Sequence, residues 1–257
     1  MQRKLLIDFP ISIGSYNSFL DHIISLAGMN SYVCIANVHM LIESHKNKKF
    51  NQVIKDADII TPDGIPLIWG LSVIYGIKQE RVAGMDLLPD LLRKMMNNNL
   101  SVYFYGGLPS LLNKTENLLK NKFPDLRLAG FYSPPFRDLT HDENEKIIED
   151  INLSKADIVF VVLGCPKQEK WMSSMRGKIN ACLIGIGGAL PVMVGMQTRA
   201  PLWMQKNGLE WFFRLSQEPG RLFKRYAYTN SLFLWLFLKE YFRVKILAPS
   251  ILSNSTK

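Results

Sequence analysis

Asp63-Gly64 closes the apolar run DIITPDG, and a carboxylate in that position has the makings of a general base. Partial loss of solvent raises a carboxyl pKa toward the range in which it takes a proton from a hydroxyl, and the glycine lets backbone approach a ligand closely. The same pair serves equally as plain turn geometry, and spacing alone leaves both readings open. Further along, Gly164-Cys165-Pro166-Lys167-Gln168-Glu169 stands where a strand-like run gives way to a helix opened by Pro166. Free N–H groups and the positive dipole end at such a helix start favour anions, so Lys167 and Gln168 are expected to face a diphosphate or a sugar. Glu169 reads either as a ligand contact or as a first-turn acid complementing the dipole. In the segment Gln79–Asp86, Arg81 can fork two N–H groups onto phosphate oxygens, a geometry lysine does not offer, or it is an ordinary surface arginine. Asp86 is expected to be the N-cap of the helix LLPDLLRKM.

These residues need a scaffold, and the hydrophobic pattern supplies one. VCIAN, DIITPDG, SVYFYGG, LRLAGFY, DIVFVVLG and CLIGIGG alternate with segments of helical period. Runs apolar on both faces imply strands covered from both sides. The expected fold is therefore α/β, a doubly wound, mostly parallel Rossmann-like sheet with a C-terminal helical appendage. Ligands of open α/β sheets bind beyond the carboxyl ends of the strands. At those ends stand Asn37, Thr61-Pro62-Asp63-Gly64, Gly106-Gly107, Gly164-Cys165-Pro166 and Gly187-Gly188. Any one such turn is explained by geometry; five on one edge indicate a site. Gly185-Ile186-Gly187-Gly188 is not a dinucleotide fingerprint, because the spacing fails at Val192.

From about Pro201 the pattern turns helical without strands, which divides the chain into an α/β domain at 1–195 and a basic, aromatic appendage at 196–257. Ten lysines and arginines there meet three glutamates, so +7 of the net +9 lies in the final quarter. Such asymmetry fits a tail that meets phosphate, on lipid headgroups or nucleic acid. Neither a helix-turn-helix pattern nor a ribonucleoprotein motif is present to favour nucleic acid. The N-terminus lacks the pattern of a signal peptide, and the longest apolar run, Leu232–Leu238, is well short of the roughly 20 residues of a spanning helix. Cys34, Cys165 and Cys182 have no paired spacing and read as buried thiols of a reducing compartment, so cytoplasmic residence is expected. His22, His39, His45 and His141 have no ligand spacing. Asp56-Ala57-Asp58 spells a metal-binding D-x-D but precedes a strand instead of following it, so no metal is expected.

TPDG at 61–64, R-V-x-G-x-D at 81–86, GCPKQEKW at 164–171 and the run from Gly187 to Tyr226, with its Arg-Ala-Pro loop, resemble the WecG/TagA/CpsF family of bacterial glycosyltransferases. The resemblance covers about residues 5–230. It implies an inverting transferase without cofactor or metal. The donor would be a UDP-sugar carrying N-acetylmannosamine, N-acetylmannosaminuronate or a related hexose. The acceptor would be an undecaprenyl-diphosphate-linked saccharide of cell-surface polysaccharide synthesis. The resemblance makes Asp63 the catalytic base, with Arg81 and Gln168 beside it. It places Asn37, Gly64, Gly107, Pro166, Lys167, Glu169, Gly187, Gly188, Arg199, Arg214 and Arg221 against substrate, the glycine amides of 187 and 188 lining a uridine or phosphate pocket. It also implies an enzyme held peripherally on the anionic inner face of the cell membrane, and it admits a homo-oligomer. Two departures leave the donor sugar open: Leu190-Pro191 replaces an aromatic-Asp pair, and Ile35 stands where many members have threonine. Two other classes compete, a glycoside hydrolase pairing Asp63 with Glu169 and a non-catalytic basic binding module.

Overall fold

A computed structural model describes residues 1–247; residues 248–257, the end of the basic tail, lie outside the described residues. The chain opens with β1 (Arg3–Leu6), β2 (Phe9–Ser12) and α1 (Tyr16–Ser25). It runs on through β3 (Ser31–Ala36), α2 (Val38–Lys46), α3 (Lys48–Lys55), β4 (Ile59–Pro62), α4 (Ile65–Tyr75) and α5 (Gly84–Asn97). The far half of the sheet is built from β5 (Ser101–Gly106), α6 (Pro109–Lys122), β6 (Arg127–Tyr132), α7 (His141–Leu153), β7 (Ile158–Val162), α8 (Lys167–Met175) and β8 (Cys182–Gly185). Helices follow without strands: α9 (Ala189–Met193), α10 (Leu202–Lys206), α11 (Glu210–Gln217) and α12 (Pro219–Tyr241), then a π-helical turn, Phe242–Leu247.

The six expected runs form one parallel sheet in the order β4-β3-β8-β7-β5-β6. Their unbroken apolarity has the anticipated cause. Val33, Ile35, Phe104, Phe160 and Ile184 enter one core, while Cys34, Ala36, Tyr105, Val161 and Leu183 enter the other, so alternate residues of each strand are buried on opposite faces. The first and last strands of the sheet, β3 and β8, are neighbours. Asn37 and Gly187, distant in sequence, therefore meet at the same carboxyl edge.

The N-terminal hairpin carries no sequence signal. Its two turn residues, Ile7 and Asp8, both adopt left-handed backbone, with φ of 55° and 60°. That geometry matches the twist of a tight hairpin but is usually given to Asn-Gly. A β-branched residue there is costly, and burial of the Ile7 side chain offsets the cost. The hairpin lies along the β4 edge, where the Ile60 N–H donates to Ser12 Oγ at 3.0 Å and edge pairing with another chain is blocked.

Helix α4 buries Leu67, Gly70, Leu71 and Ile74 against its neighbours and leaves Trp69, Ser72 and Tyr75 exposed. A Cβ added at Gly70 would lie 2.8 Å from Leu6 of the hairpin and 3.4 Å from Phe237 of α12. Phe233, Leu236 and Phe237 share a core with Leu67 and Leu71, so α12 is joined to the α/β domain by apolar packing as well as by the chain. Among the described residues, no helix is long and apolar enough to cross a membrane.

Candidate active site

The carboxyl edge of the sheet opens into a cavity of about 790 Å³, walled on one side by strand ends and on the other by α11 and α12. Asn37, Asp63, Gly64, Arg81, Gln168, Gly187, Gly188, Arg214 and Arg221 all line it. Gly107, Pro166, Lys167, Glu169 and Arg199 do not; Lys167 is exposed to solvent on the outer side of its helix.

Tight strand-end geometry places Asp63. Its N–H and that of Gly64 both donate to the Ala36 carbonyl, at 2.9 and 3.3 Å, which draws the end of β4 against the end of β3. A Cβ at Gly64 would lie 3.4 Å from the Asn37 Cα, so glycine permits the approach. Asn37 caps α2, its Oδ1 accepting from the Met40 N–H at 3.2 Å. Arg81 reaches across from the loop before α5: its Nε donates to the Asp63 carbonyl at 2.7 Å and its Nη2 to Asp63 Oδ1 at 3.1 Å. Burial pushes the Asp63 carboxyl above its usual pKa and the negative charge of Glu210 adds to this, against the opposing pull of Arg81 and Arg214. The result is a carboxylate with more affinity for a proton than a solvated aspartate has.

Gln168 explains the glycines of β8. Its Oε1 accepts from the Gly164 N–H at 3.2 Å and its Nε2 donates to Glu169 Oε1 at 2.7 Å, which fixes the amide plane. A Cβ on Gly185 would come within 2.7 Å of Gln168 Nε2, and one on Gly187 within 3.2 Å of its Oε1. The Gly-Ile-Gly-Gly run thus makes room for a side chain rather than for a dinucleotide. Glu169 is fully enclosed, and burial raises its pKa. Sealed behind Gln168, it does not face Asp63 across the cavity, so the two cannot act as a hydrolase's carboxylate pair on one bound sugar.

The helical wall is cationic. Arg214 lies over Gly188, where an added Cβ would be 3.6 Å from its guanidinium. Arg221 lines the rim and is shared with Glu218 at 2.5 Å. Arg225 also faces in, next to His39, whose pKa is lowered by burial and by that arginine. The mouth between α4 and α12 is apolar, with Trp69, Phe233 and Leu234. A carboxylate, an amide and several arginines around one partly apolar chamber are groups able to accept a proton and to hold an anion.

Three sequence expectations need correction or extension. Asp86 is not the N-cap of α5; Ala83 is, and Asp86 lies in the first turn, where Arg199 grips it with bonds of 2.6 and 2.9 Å. The D-x-D aspartates serve structure: Asp58 accepts from the Tyr32 N–H at 2.9 Å and pairs with Arg176 at 2.9 Å, and Asp56 accepts from Gln52 at 2.7 Å. Glu210, which sequence reasoning passed over, has its Oε2 2.5 Å from Arg81 Nη2. An acid inside a basic helical tail reads as solvated charge, and no local pattern singles it out.

A family model described as Glycosyl transferase WecG/TagA/CpsF family matches residues 4–246. The chain is 30% identical over 225 residues to the N-acetylglucosaminyldiphosphoundecaprenol N-acetyl-beta-D-mannosaminyltransferase of Bacillus spizizenii (strain ATCC 23059 / NRRL B-14472 / W23), a match covering 86% of each chain. It is 27% identical over 226 residues to the protein of that name from Bacillus subtilis (strain 168), again over 86% of each.

Proposed function

The chain belongs to the WecG/TagA/CpsF family of glycosyl transferases and is a hexosyltransferase, and from that premise we propose that it transfers N-acetylmannosamine from UDP to a diphosphoundecaprenol-linked N-acetylglucosamine. The sugar and the acceptor follow the names of the two Bacillus relatives. The observation that carries the reading is the convergence of Asp63, Arg81, Arg214 and Gln168 on one cavity, with Arg81 paired to Asp63 at 3.1 Å. Asp63 takes the proton of the acceptor hydroxyl as its oxygen attacks the anomeric carbon from the side opposite UDP. Charge grows on the departing diphosphate, and Arg81, Arg214 and Arg221 offset it, a fixed electrostatic contribution of the kind that dominates many enzymes. Gln168, its amide plane fixed by Gly164 and Glu169, presents a hydrogen-bonding edge to the donor.

The helical segment after residue 195 supports peripheral attachment to an anionic membrane. Trp203 is 60% exposed and Trp235 58%, and Phe223 and Phe242 are also exposed, among lysines and arginines on the same helices. Amphipathic aromatics settle at the polar boundary of a bilayer while basic groups meet headgroups. Pro191 and Ile35, two of the three residues that depart from the family pattern, line the cavity, where they bear on donor choice.

The test is direct. Purified protein is given UDP-N-acetylmannosamine and, separately, other UDP-hexosamines, with a synthetic lipid-diphosphate-N-acetylglucosamine, and UDP release and product mass are followed. Release of UDP with a product heavier by one N-acetylhexosamine is expected with the first donor. Consumption of a different donor would overturn the sugar assignment, and free sugar as the product would overturn the transfer.

A further inference from the structure

We infer that Glu210 is a positioning residue of the reaction: it joins the C-terminal helices to Arg81 and, through Arg81, to Asp63, and so sets how the guanidinium is divided between the base and the cavity. The inference deepens the transferase reading and rests on it for the role of Asp63. The five N–H donors of the Arg81 guanidinium are divided unevenly. Arg81 Nε is taken by the Asp63 carbonyl, and Nη2 is divided between Asp63 Oδ1 at 3.1 Å and Glu210 Oε2 at 2.5 Å. Nη1 donates to no protein group among the described residues, and Arg81 lines the cavity. Two carboxylates from different parts of the chain thus clamp the cation, leaving its remaining edge for an anion.

A second set of contacts fastens the same glutamate. Glu210 Oε1 is buried without a hydrogen-bond partner, as is Arg199 Nε, and the two are 3.6 Å apart. Closing that gap by about half an ångström would bring them into hydrogen-bond range. Arg199 is itself anchored to Asp86 in the first turn of α5. Glu210 therefore sits between two arginines that are each held from the α/β side, and it is 12% exposed.

Electrostatics give the arrangement a consequence that packing alone would lack. The charged groups facing Asp63 are Arg81 from the loop before α5, and Arg214 and Glu210 from α11. Both arginines favour the ionised carboxylate and so weaken it as a base. Glu210 opposes them, directly by its charge and indirectly by sharing Nη2. Without it, Arg81 and Arg214 would act on Asp63 unopposed, and Arg81 Nη2 would be left to Asp63 Oδ1.

The experiment uses the full chain with Glu210→Gln, which keeps the shape and one acceptor, and Glu210→Asp, which keeps the charge one carbon shorter. The Asp63 carboxyl is followed by ¹³C chemical shift against pH, assigned by its disappearance in Asp63→Asn. It should titrate at lower pH in Glu210→Gln than in the wild type and close to wild type in Glu210→Asp. The kcat/KM of Glu210→Gln should fall about tenfold to a hundredfold, the scale of loss for misplaced catalytic groups. An unmoved Asp63 titration in a folded Glu210→Gln protein overturns the inference, whether or not activity falls, because a purely structural contact would lower activity without changing the carboxyl. The activity of Asp63→Asn judges the transferase mechanism separately: wild-type turnover there refutes the base, and leaves the titration comparison valid as the test of Glu210.

Discussion

Replacing Asp63 by asparagine should lower kcat by about 10²–10⁴-fold, the usual loss for removal of a general base, equivalent to about 3–5 kcal/mol of transition-state stabilisation at ~1.36 kcal/mol per tenfold. The structure indicates that this loss would not come from unfolding. The asparagine carbonyl can still accept from Arg81 Nη2, now 3.1 Å from Oδ1, and the Arg81 Nε bond goes to the main chain at 2.7 Å and is untouched. Glu210 remains as a counter-charge for Arg81. The side chain of Asp63 is 26% exposed, so the lost ion pair is partly screened and should cost about 1 kcal/mol or less. For a chain of this size that limits any fall in Tm to about 2–4 °C, and removing a charge whose burial raises the Asp63 pKa acts in the opposite direction. The pH profile supplies the sharper signature. Burial raises the Asp63 pKa above 3.8 against the pull of Arg81 and Arg214, so wild-type kcat/KM should decline as pH falls through that raised value, and the mutant should lose this acid limb. The assay is UDP release with acceptor saturating, alongside a melting curve. Near-wild-type turnover, or an unchanged acid limb, would remove Asp63 from the mechanism.

Gly185→Ala should place a methyl 2.7 Å from Gln168 Nε2 and 3.0 Å from the Met172 side chain, costing about 1–3 kcal/mol by overpacking. Turnover should fall with it; an unchanged Tm and kcat would mean the amide is not fixed as described. Arg214→Ala should lower kcat by about 10²-fold, as loss of a single oxyanion-type donor does. Arg221→Ala should cost less, since its side chain is 62% exposed and already pairs with Glu218; equal losses would place Arg221 nearer the diphosphate than the structure has it. Glu169→Gln tests the buried acid through stability. Burial raises the folded-state pKa of Glu169 above 4.5, so the folded protein binds this proton more tightly than the unfolded chain. Its stabilising contribution is complete below about pH 4.5 and is lost as pH rises through the folded value. The Tm advantage of the glutamine variant over wild type should therefore grow from pH 4.5 toward neutrality, and a flat difference would show that the fold does not raise the Glu169 pKa.

The sheet was legible in the sequence for a simple physical reason. Parallel strands buried on both faces, such as Ile158–Val162, must be apolar at every position, and their length and bounding glycines separate them from helices. The strand-end turns were legible too, because chain reversal at a sheet edge restricts residue type. The hairpin at Ile7-Asp8 was not, since the favourable burial of Ile7 overrode the local preference that usually announces such a turn. Asp86 was misassigned as a cap because an acid in the first turn and an acid at the N-cap look alike in sequence, and only the backbone, which turns helical after Ala83, distinguishes them.

What the sequence determined by itself was which side chains could do chemistry and on which edge of the sheet they would stand, because both depend on local spacing. What the tertiary structure decided was which of them meet. Gln168 faces the cavity while its neighbours Lys167 and Glu169 turn to solvent and to the core, a division set by the 3.6-residue turn of α8 and the space left by Gly185 and Gly187. The partnership of Asp63, Arg81 and Glu210 joins residues up to 147 positions apart through α11 docking against the strand ends. No local pattern encodes it, because the bonding free energy of that cluster exists only once the apolar faces of α4 and α12 have brought the two ends of the chain together.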